Sequence, residues 1–440
     1  MRISRRDLLI TGAAAFAGGS VASSVLGHDD SPRVNSTGAD ALVPQETKLP
    51  PAFDSLKPIH DRVQPITPEE RKSRIARAQE LMTGAKPQYS ALFIAPGTSL
   101  FYFTGIRWWP SERLLGFLIP RTGDPLLISP AFEETRLREN LAWPLEVRVW
   151  QEDESPYHVA AKWLREQHVG TGLLGVEEKT PFFFFDGLRK AYPYPEYRSG
   201  DLITVGCRAR KSEHELALMR LACAATFDVY KAAFASLTEG VTQRTVAEWV
   251  ALGYNKMGLE GDAFVLFGPA ASFPHGTRED RALREGDGVL LDDGTTVEGY
   301  QSDVTRTSVL GKPSAKLQHA FEIVRKAQDA ALAAAVAGKP CGSVDDAARR
   351  VITQGGYGPG YKYFTHRLGH GIGLDGHEQP YLVRGNRTIL ESGMTFSNEP
   401  GIYVPGDFGL RCEDDMVIAH DGSAQLLTPG FAPSLEVPIA

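Results

Sequence analysis

Four segments in the second half of the chain carry polar residues where their apolar neighbours predict burial. The stretch LLDDGTTVEGYQSDVTRT places Asp292 and Asp293 after an apolar run and Asp303 before a β-branched one, with a turn between them near Val297 to Gly299. His370 lies in the glycine-rich THRLGHGIGLDGHE, Glu399 between the apolar MTF and GIYV, and Glu413 in GLRCEDDMVIA. Carboxylates on buried strands need a partner. If the hairpin register sets Asp292 opposite Asp303 or one pleat along, both project from one face, with Thr305 beside Asp303. Two anions that close require a proton or a cation between them. Four carboxylates and one imidazole form a mainly oxygen-donor set, suited to hard or borderline divalent ions, Mn²⁺ or Co²⁺ first, then Zn²⁺ or Fe²⁺. Four negative ligands can offset two such ions, and two ions roughly 3.5–4 Å apart are the usual arrangement for metal-assisted hydrolysis.

These segments alternate with long helical patterns. SEHELALMRLACAATFDVYKAAFASLTEG opens with Ser212 and Glu215 as a capping box, and TQRTVAEWVALGYNKMG follows with Thr242 as its cap. SAKLQHAFEIVRKAQDAALAAAVAG and SVDDAARRVITQGG are two more helices. The first half has a different texture. A helix is expected over TPEERKSRIARAQELM, where Thr67 caps, Pro68 suits the first helical position and Glu70 completes a capping box. Short apolar runs, YSALFIAP, SLFYFTGI, LLGFLIP, PLLISP, EVRVWQ and GLLGVEE, then read as strands, with SPYHVAAKWLREQ as a helix among them. This predicts an α/β (α+β) chain in two parts, residues 67–204 and 205–440. The aromatic run PFFFFDG reads as core or interface packing.

The ends and the composition set the context. Arg5 and Arg6 precede a Gly- and Ala-rich apolar run, the pattern of a twin-arginine export signal over residues 1–27, with cleavage after Ala17 or Gly27. Export would place the protein in the periplasm or outside the cell, and no second apolar run is long enough for a stable membrane span after processing. Residues 28–66, rich in Asp, Ser, Pro, Thr and Lys, read as a linker or extended arm. A net charge of −7 with scattered basic residues argues against nucleic acid as a partner. The four cysteines, Cys207, Cys223, Cys341 and Cys412, lack C-x-x-C spacing and read as small buried residues.

Asp292 and Asp303 separated by ten residues, then HGIGLDGHE with His370, NEPGIYV with Glu399 and GLRCEDD with Glu413, resemble the pita-bread metallopeptidases, specifically the Xaa-Pro peptidases, prolidase and aminopeptidase P. The first half, with SLFYFTGI, resembles that family's creatinase-like N-terminal domain, so the resemblance runs from about residue 67 to the end. It implies a creatinase-like domain over 67–204 followed by a pita-bread catalytic domain over 205–440. It selects Asp292 over Asp293 as a ligand of one ion, makes Asp303 and Glu413 bridges between two, and gives His370 and Glu399 to the other ion. Glu399 would also shuttle a proton from water held by the metals. His275 in SFPHG and His377 in GLDGHE would line the substrate pocket, with His366 a further candidate. Arg411 would orient the bridging carboxylates, and Thr305 would support Asp303.

The activity so implied is hydrolysis of the peptide bond preceding proline, in peptides with proline at the second position, by a hydroxide held between two divalent ions. A partner subunit closing the pocket makes a homodimer the expected assembly. A creatinase-like amidinohydrolase would lack these carboxylates, and a methionine aminopeptidase would lack the large first domain. A metal-dependent lyase of the same fold would keep the ligands, whereas a non-catalytic binding protein would lose some of them. The short interval from Glu399 to Glu413 resembles prolidase more than the aminopeptidases with long inserts.

Overall fold

A computed structural model describes residues 47–439. The twin-arginine signal and the first part of the expected linker, residues 28–46, lie outside the described residues. Among the described residues no helix is long and apolar enough to cross a membrane.

The first half is built on a mixed six-stranded sheet. Its strands are β1 (Tyr89–Ile94), β2 (Gly116–Pro120), β3 (Leu126–Pro130), β4 (Glu146–Trp150), β5 (Leu173–Val176) and β6 (Glu196–Ser199), in the order β4-β3-β2-β1-β5-β6. The central β1 explains the two-sided cover through its alternation. Leu92 and Ile94 pack with Ile75, Ala78 and Met82 of the helix Pro68–Gly84, and Ala91 and Phe93 pack with Trp163, Leu164 and Phe184 on the other face. Both members of the expected capping box, Thr67 and Glu70, are engaged at that first helix.

Two expectations for this half change. SLFYFTGI is the helix Thr98–Thr104, not a strand, and it stops where Gly105 turns left-handed at φ 81°. Ser99, Leu100, Tyr102, Phe103 and Thr104 are all buried, so the segment has no polar face to betray a helical period. PFFFFDG opens the helix Phe182–Ala191 and splits in role: Phe184 is in the core, whereas Phe182 and Phe183 are 72% and 49% exposed.

In the second half, strands lie between two helix pairs. They are β7 (Phe264–Phe267), β8 (Gly288–Asp292), β9 (Thr296–Val297), β10 (Tyr300–Gln301), β11 (Arg306–Val309), β12 (Gly369–Gly371), β13 (Glu378–Leu382), β14 (Thr395–Asn398), β15 (Gly401–Val404), β16 (Phe408–Arg411), β17 (Asp414–Ile418) and β18 (Ala424–Leu426). They form sheets ordered β11-β8-β7 and β13-β12-β14-β17-β18, with β15-β16 and β9-β10 as separate hairpins. The helices Glu213–Phe234 and Gln243–Lys256 share a core with Val265, Val289 and Leu291. The helices Ala315–Ala334 and Cys341–Gln354 share another with Phe396, Ile402, Leu410 and Met416. Ser212 with Glu215, and Thr242, cap the first two helices as expected.

Residues 47–66 form a packed arm in place of a loose linker. Two short 3₁₀ turns, Pro51–Ser55 and His60–Arg62, bring Phe53, Leu56, Ile59 and Ile66 into the core with Val229, Val250 and Tyr254. The Ile59 amide donates to Met257 O at 3.1 Å, and Lys256 Nζ donates to Phe53 O at 2.9 Å. Four apolar residues in a proline-rich segment have no regular period, so the composition masks their burial.

Candidate metal centre

The opening hairpin keeps one register along its length. Leu291 pairs with Arg306 in β8 and β11, Val297 pairs with Tyr300 at the tip, and the Val304 amide donates to Asp293 O at 3.0 Å. Glu298 and Gly299, at φ 53° and 86°, close a two-residue turn of the kind that matches strand twist. Asp292 therefore faces Thr305, and Asp303 sits one pleat farther along on the same face. From the second sheet, His370 projects from β12, Glu399 follows β14, and Glu413 precedes the neighbouring β17. The Asn398–Asp414 pairing brings the two glutamates side by side.

These five side chains converge. Asp292, Asp303 and Glu413 form one group, and His370, Glu399 and Glu413 a second, each with ligand atoms within 4.8 Å of one another. A third group, Asp303, His370 and His377, overlaps both. Asp293 is in none of them. It borders a cavity of about 390 Å³ with Glu260, Asp262, Asp303 and His377.

Electrostatics within the group call for positive charge. Burial, reinforced by the surrounding carboxylates, raises Asp303 and Glu413 well above the ordinary range, and burial lifts Glu399 to about 8. Asp292 is the exception. Burial acts to raise it, but Arg411 and hydrogen bonds including that from Thr305 hold it below its usual value. His370 is lowered to about 3 by burial and by His377, so its imidazole is neutral and has a lone pair to give. Glu413 is 2% exposed, and its Oε1 has no hydrogen-bond partner among the described residues. A buried carboxylate oxygen without a donor is what a cation would satisfy. The mainly oxygen donors and neutral histidine fit a divalent ion of the manganese or cobalt kind, with zinc and iron also compatible.

A network behind these residues fixes them. Thr305 Oγ1 contacts Asp292 and lies 2.7 Å from Glu413 Oε2, while Arg411 Nε donates to Thr305 Oγ1 at 3.0 Å. Arg411 also pairs with Asp292 and donates to Tyr403 OH at 2.8 Å. Tyr403 OH lies 2.8 Å from His366 Nε2, and His366 Nδ1 is 3.7 Å from Glu399. Thr305 thus serves Asp292 and Glu413, where support of Asp303 was expected. Asp303 is held instead from Asp415, whose Oδ2 accepts its amide at 3.0 Å.

Of the pocket histidines, His377 is exposed, and its ring stacks on His370 at 3.7 Å between centroids. His275 lies in an exposed turn, tied to the site where Arg411 Nη1 donates to Pro274 O at 3.4 Å. Sequence reasoning did not single out Tyr403, Asp415 or Arg367. Tyr403 and Asp415 lie on ordinary strands, and nothing near them in the chain marks them. Arg367, three residues before His370, stacks on Tyr381 at 4.3 Å and reaches His377 Nδ1 at 3.3 Å. It forms no ion pair with a carboxylate among the described residues.

A three-stranded and a five-stranded sheet that together aim acidic residues and a neutral histidine at one buried point give the donor set of a metal-dependent hydrolase. Residues 217–420 match the Metallopeptidase family M24, and residues 74–209 match the Creatinase/Prolidase N-terminal domain. The chain belongs to this metallopeptidase family. It is 35% identical to an uncharacterized peptidase of Staphylococcus saprophyticus over 77% of this chain and 95% of that one. Among solved structures, a recombinant prolidase from Thermococcus sibiricus is similar at 32% identity and a TM-score of 0.73, over 82% of this chain and 97% of that one. The dipeptidase PepE from Mycobacterium ulcerans is similar at 32% identity and a TM-score of 0.76, over 83% and 98%. The protein is a metal-dependent peptidase with a creatinase-type first domain and an M24 catalytic domain.

Proposed function

We propose that the chain is a Xaa-Pro dipeptidase that works with two divalent ions, Mn²⁺ foremost. The observation that carries this reading is Glu413, which belongs to both ligand groups while its Oε1 lacks a partner among the described residues. Asp292, Asp303 and Glu413 would hold one ion, and Asp303, Glu413, His370 and Glu399 the other. Such a pair, when bound, acidifies water and polarises the scissile carbonyl.

The chain's own groups do the rest. Glu399, buried among the ligands and ionised when it holds an ion, takes the proton from the attacking water and passes it to the leaving proline nitrogen. Arg367 can only donate, so His377 Nδ1 accepts and its proton resides on Nε2. That N–H is a donor for the oxygen that gains charge in the tetrahedral intermediate, and His275 would assist it from its exposed turn. Arg411 and Thr305 keep Asp292 and Glu413 aimed.

Two features favour dipeptides over longer chains. Arg367 has no carboxylate partner among the described residues and stands beside His377, a position suited to the free carboxylate of a terminal proline. On the other side, the cavity with Asp262 and Asp293 suits the free ammonium of the first residue. The names of the Thermococcus sibiricus prolidase and the Mycobacterium ulcerans dipeptidase point the same way.

Arg5 and Arg6 before an apolar run support export by the twin-arginine route, which carries proteins folded around their metals, to the periplasm or cell exterior. We further propose that the chain works as a homodimer. The test of function is turnover by metal-reconstituted enzyme of Gly-Pro beside a Xaa-Pro-Xaa tripeptide. Preferred cleavage of Gly-Pro is expected. Preferred cleavage of the tripeptide would make the enzyme an aminopeptidase, and cleavage of neither with metal bound would point to a lyase or another hydrolase.

A further inference from the structure

His377 presents a physical difficulty. The loop that carries it, between β12 and β13, is a run of bends, and its ring is exposed. An exposed side chain on an irregular loop ordinarily samples several rotamers on a fast timescale. Yet this ring is stacked on His370 at 3.7 Å, where misplacement of a donor by an ångström is costly. Something must hold the loop.

The residues on either side of His377 are anchored by charge. Asp375 accepts hydrogen bonds from Thr98 Oγ1 at 2.5 Å, Lys179 Nζ at 2.7 Å and Arg208 Nη2 at 2.8 Å. Glu378, the next residue after His377, accepts from Arg208 Nη2 at 2.6 Å and Lys211 Nζ at 2.5 Å. Arg208 thus bridges both anchors, and its Nη1 reaches Ser99 at 3.2 Å. Thr98, Lys179 and Arg208 fall within residues 74–209, matched to the creatinase-type domain, and Lys211 lies in the junction that follows. The side chains of Arg208, Lys211 and Glu378 are 10%, 2% and 8% exposed. From the catalytic side, the Gln301 amide donates to Gly373 O at 2.8 Å.

Burying this many charges is expensive, and apolar packing would join two domains at lower cost. Burial acts to raise the Asp375 carboxyl, but Arg208, Lys179 and Thr98 bring it down to about 2, so it stays ionised. A cavity of about 260 Å³ lies alongside, bordered by Glu177, Arg208, Asp375, His377 and Tyr381, which leaves room for the loop to shift if released.

We propose that the first domain and the segment that follows it position His377 through a charged clamp, in which Thr98, Lys179 and Arg208 grip Asp375 and Arg208 and Lys211 grip Glu378. Asp375 and Arg208 are positioning residues for the reaction, and the creatinase-type domain contributes to catalysis through this loop. The proposal rests on the reading of His377 as the donor to the carbonyl oxygen.

The test is a double-mutant cycle on the metal-loaded full chain, using Asp375→Asn, His377→Ala and their combination, with melting temperature and metal content measured for each. D375N is expected to lower kcat for Gly-Pro about tenfold with KM changed less than about twofold and metal content unchanged. The double variant is expected to be no slower than H377A alone, because the clamp acts through the ring. K179M removes an exposed end of the clamp, at 67% side-chain exposure, and carries the same cycle if D375N does not fold. Its expected loss is about two- to threefold. Equal losses in the parent and H377A backgrounds, or no loss from either clamp variant, would overturn the clamp. Full activity of H377A would overturn the reading of His377 beneath it.

Discussion

Thr305→Val isolates the link between the supporting network and the metal ligands. The Thr305 hydroxyl has one proton and two carboxylate neighbours, Asp292 and Glu413, and it accepts the Arg411 Nε–H at 3.0 Å. Valine keeps the branched shape and the β propensity, so the strand survives. What is lost is a hydrogen bond to an ionised ligand, and Arg411, 3% exposed, is left with an unmet donor. A hydrogen bond to a charged group contributes about 1.5–3 kcal/mol. At about 1.4 kcal/mol per tenfold, divalent-ion affinity should fall about 10- to 100-fold. Calorimetric titration of Mn²⁺ into the chelator-treated protein measures this directly. Thr305→Ser, which restores the hydroxyl, should bind within about threefold of the parent. A valine variant that binds as tightly as the parent, or a serine variant as weak as the valine one, would refute the reasoning.

Three other outcomes are expected. Phe53→Ala should destabilise the protein by about 3–5 kcal/mol in urea melts, because the arm is core, and an unchanged midpoint would return residues 47–66 to the status of a linker. Glu399 is raised from 4.5 to about 8 in the folded chain, so its contribution to stability is present below its unfolded value and is lost as pH rises through about 8. Chelated protein should therefore melt at progressively lower temperature between about pH 5 and pH 9, while Mn²⁺-loaded protein should not, and parallel curves would contradict this. Arg367→Met should raise KM for Gly-Pro about tenfold or more and leave an amidated Gly-Pro substrate little changed; equal effects on both would remove Arg367 from carboxylate binding.

The candidate ligands were legible because each breaks a local rule. Asp292, Asp303, Glu399 and Glu413 are carboxylates set among residues that demand burial, and a single hairpin register carries the first two onto one face. Capped helices such as Glu213–Phe234 were legible for a similar reason, since Ser212 and Glu215 announce the start. Residues that obey local rules stayed hidden. Tyr403 is a strand tyrosine, Asp415 follows another aspartate, and Arg367 reads as a surface cation until Tyr381 and His377 are brought beside it. The helix Thr98–Thr104 read as a strand, and the packing of the arm around Phe53 stayed hidden, because burial on several sides erases periodicity. The clamp on Asp375 joins residues 98, 179, 208 and 375, which no local pattern connects.

The central claim is that Glu413 serves two ions at once in a dipeptidase. Elemental analysis of the Mn²⁺-reconstituted full chain and of Glu413→Gln, each paired with Gly-Pro turnover, tests it most directly. The account predicts two ions per chain and turnover in the parent, with loss of both in the variant. One ion per chain in an active parent, or full turnover in Glu413→Gln, would contradict it.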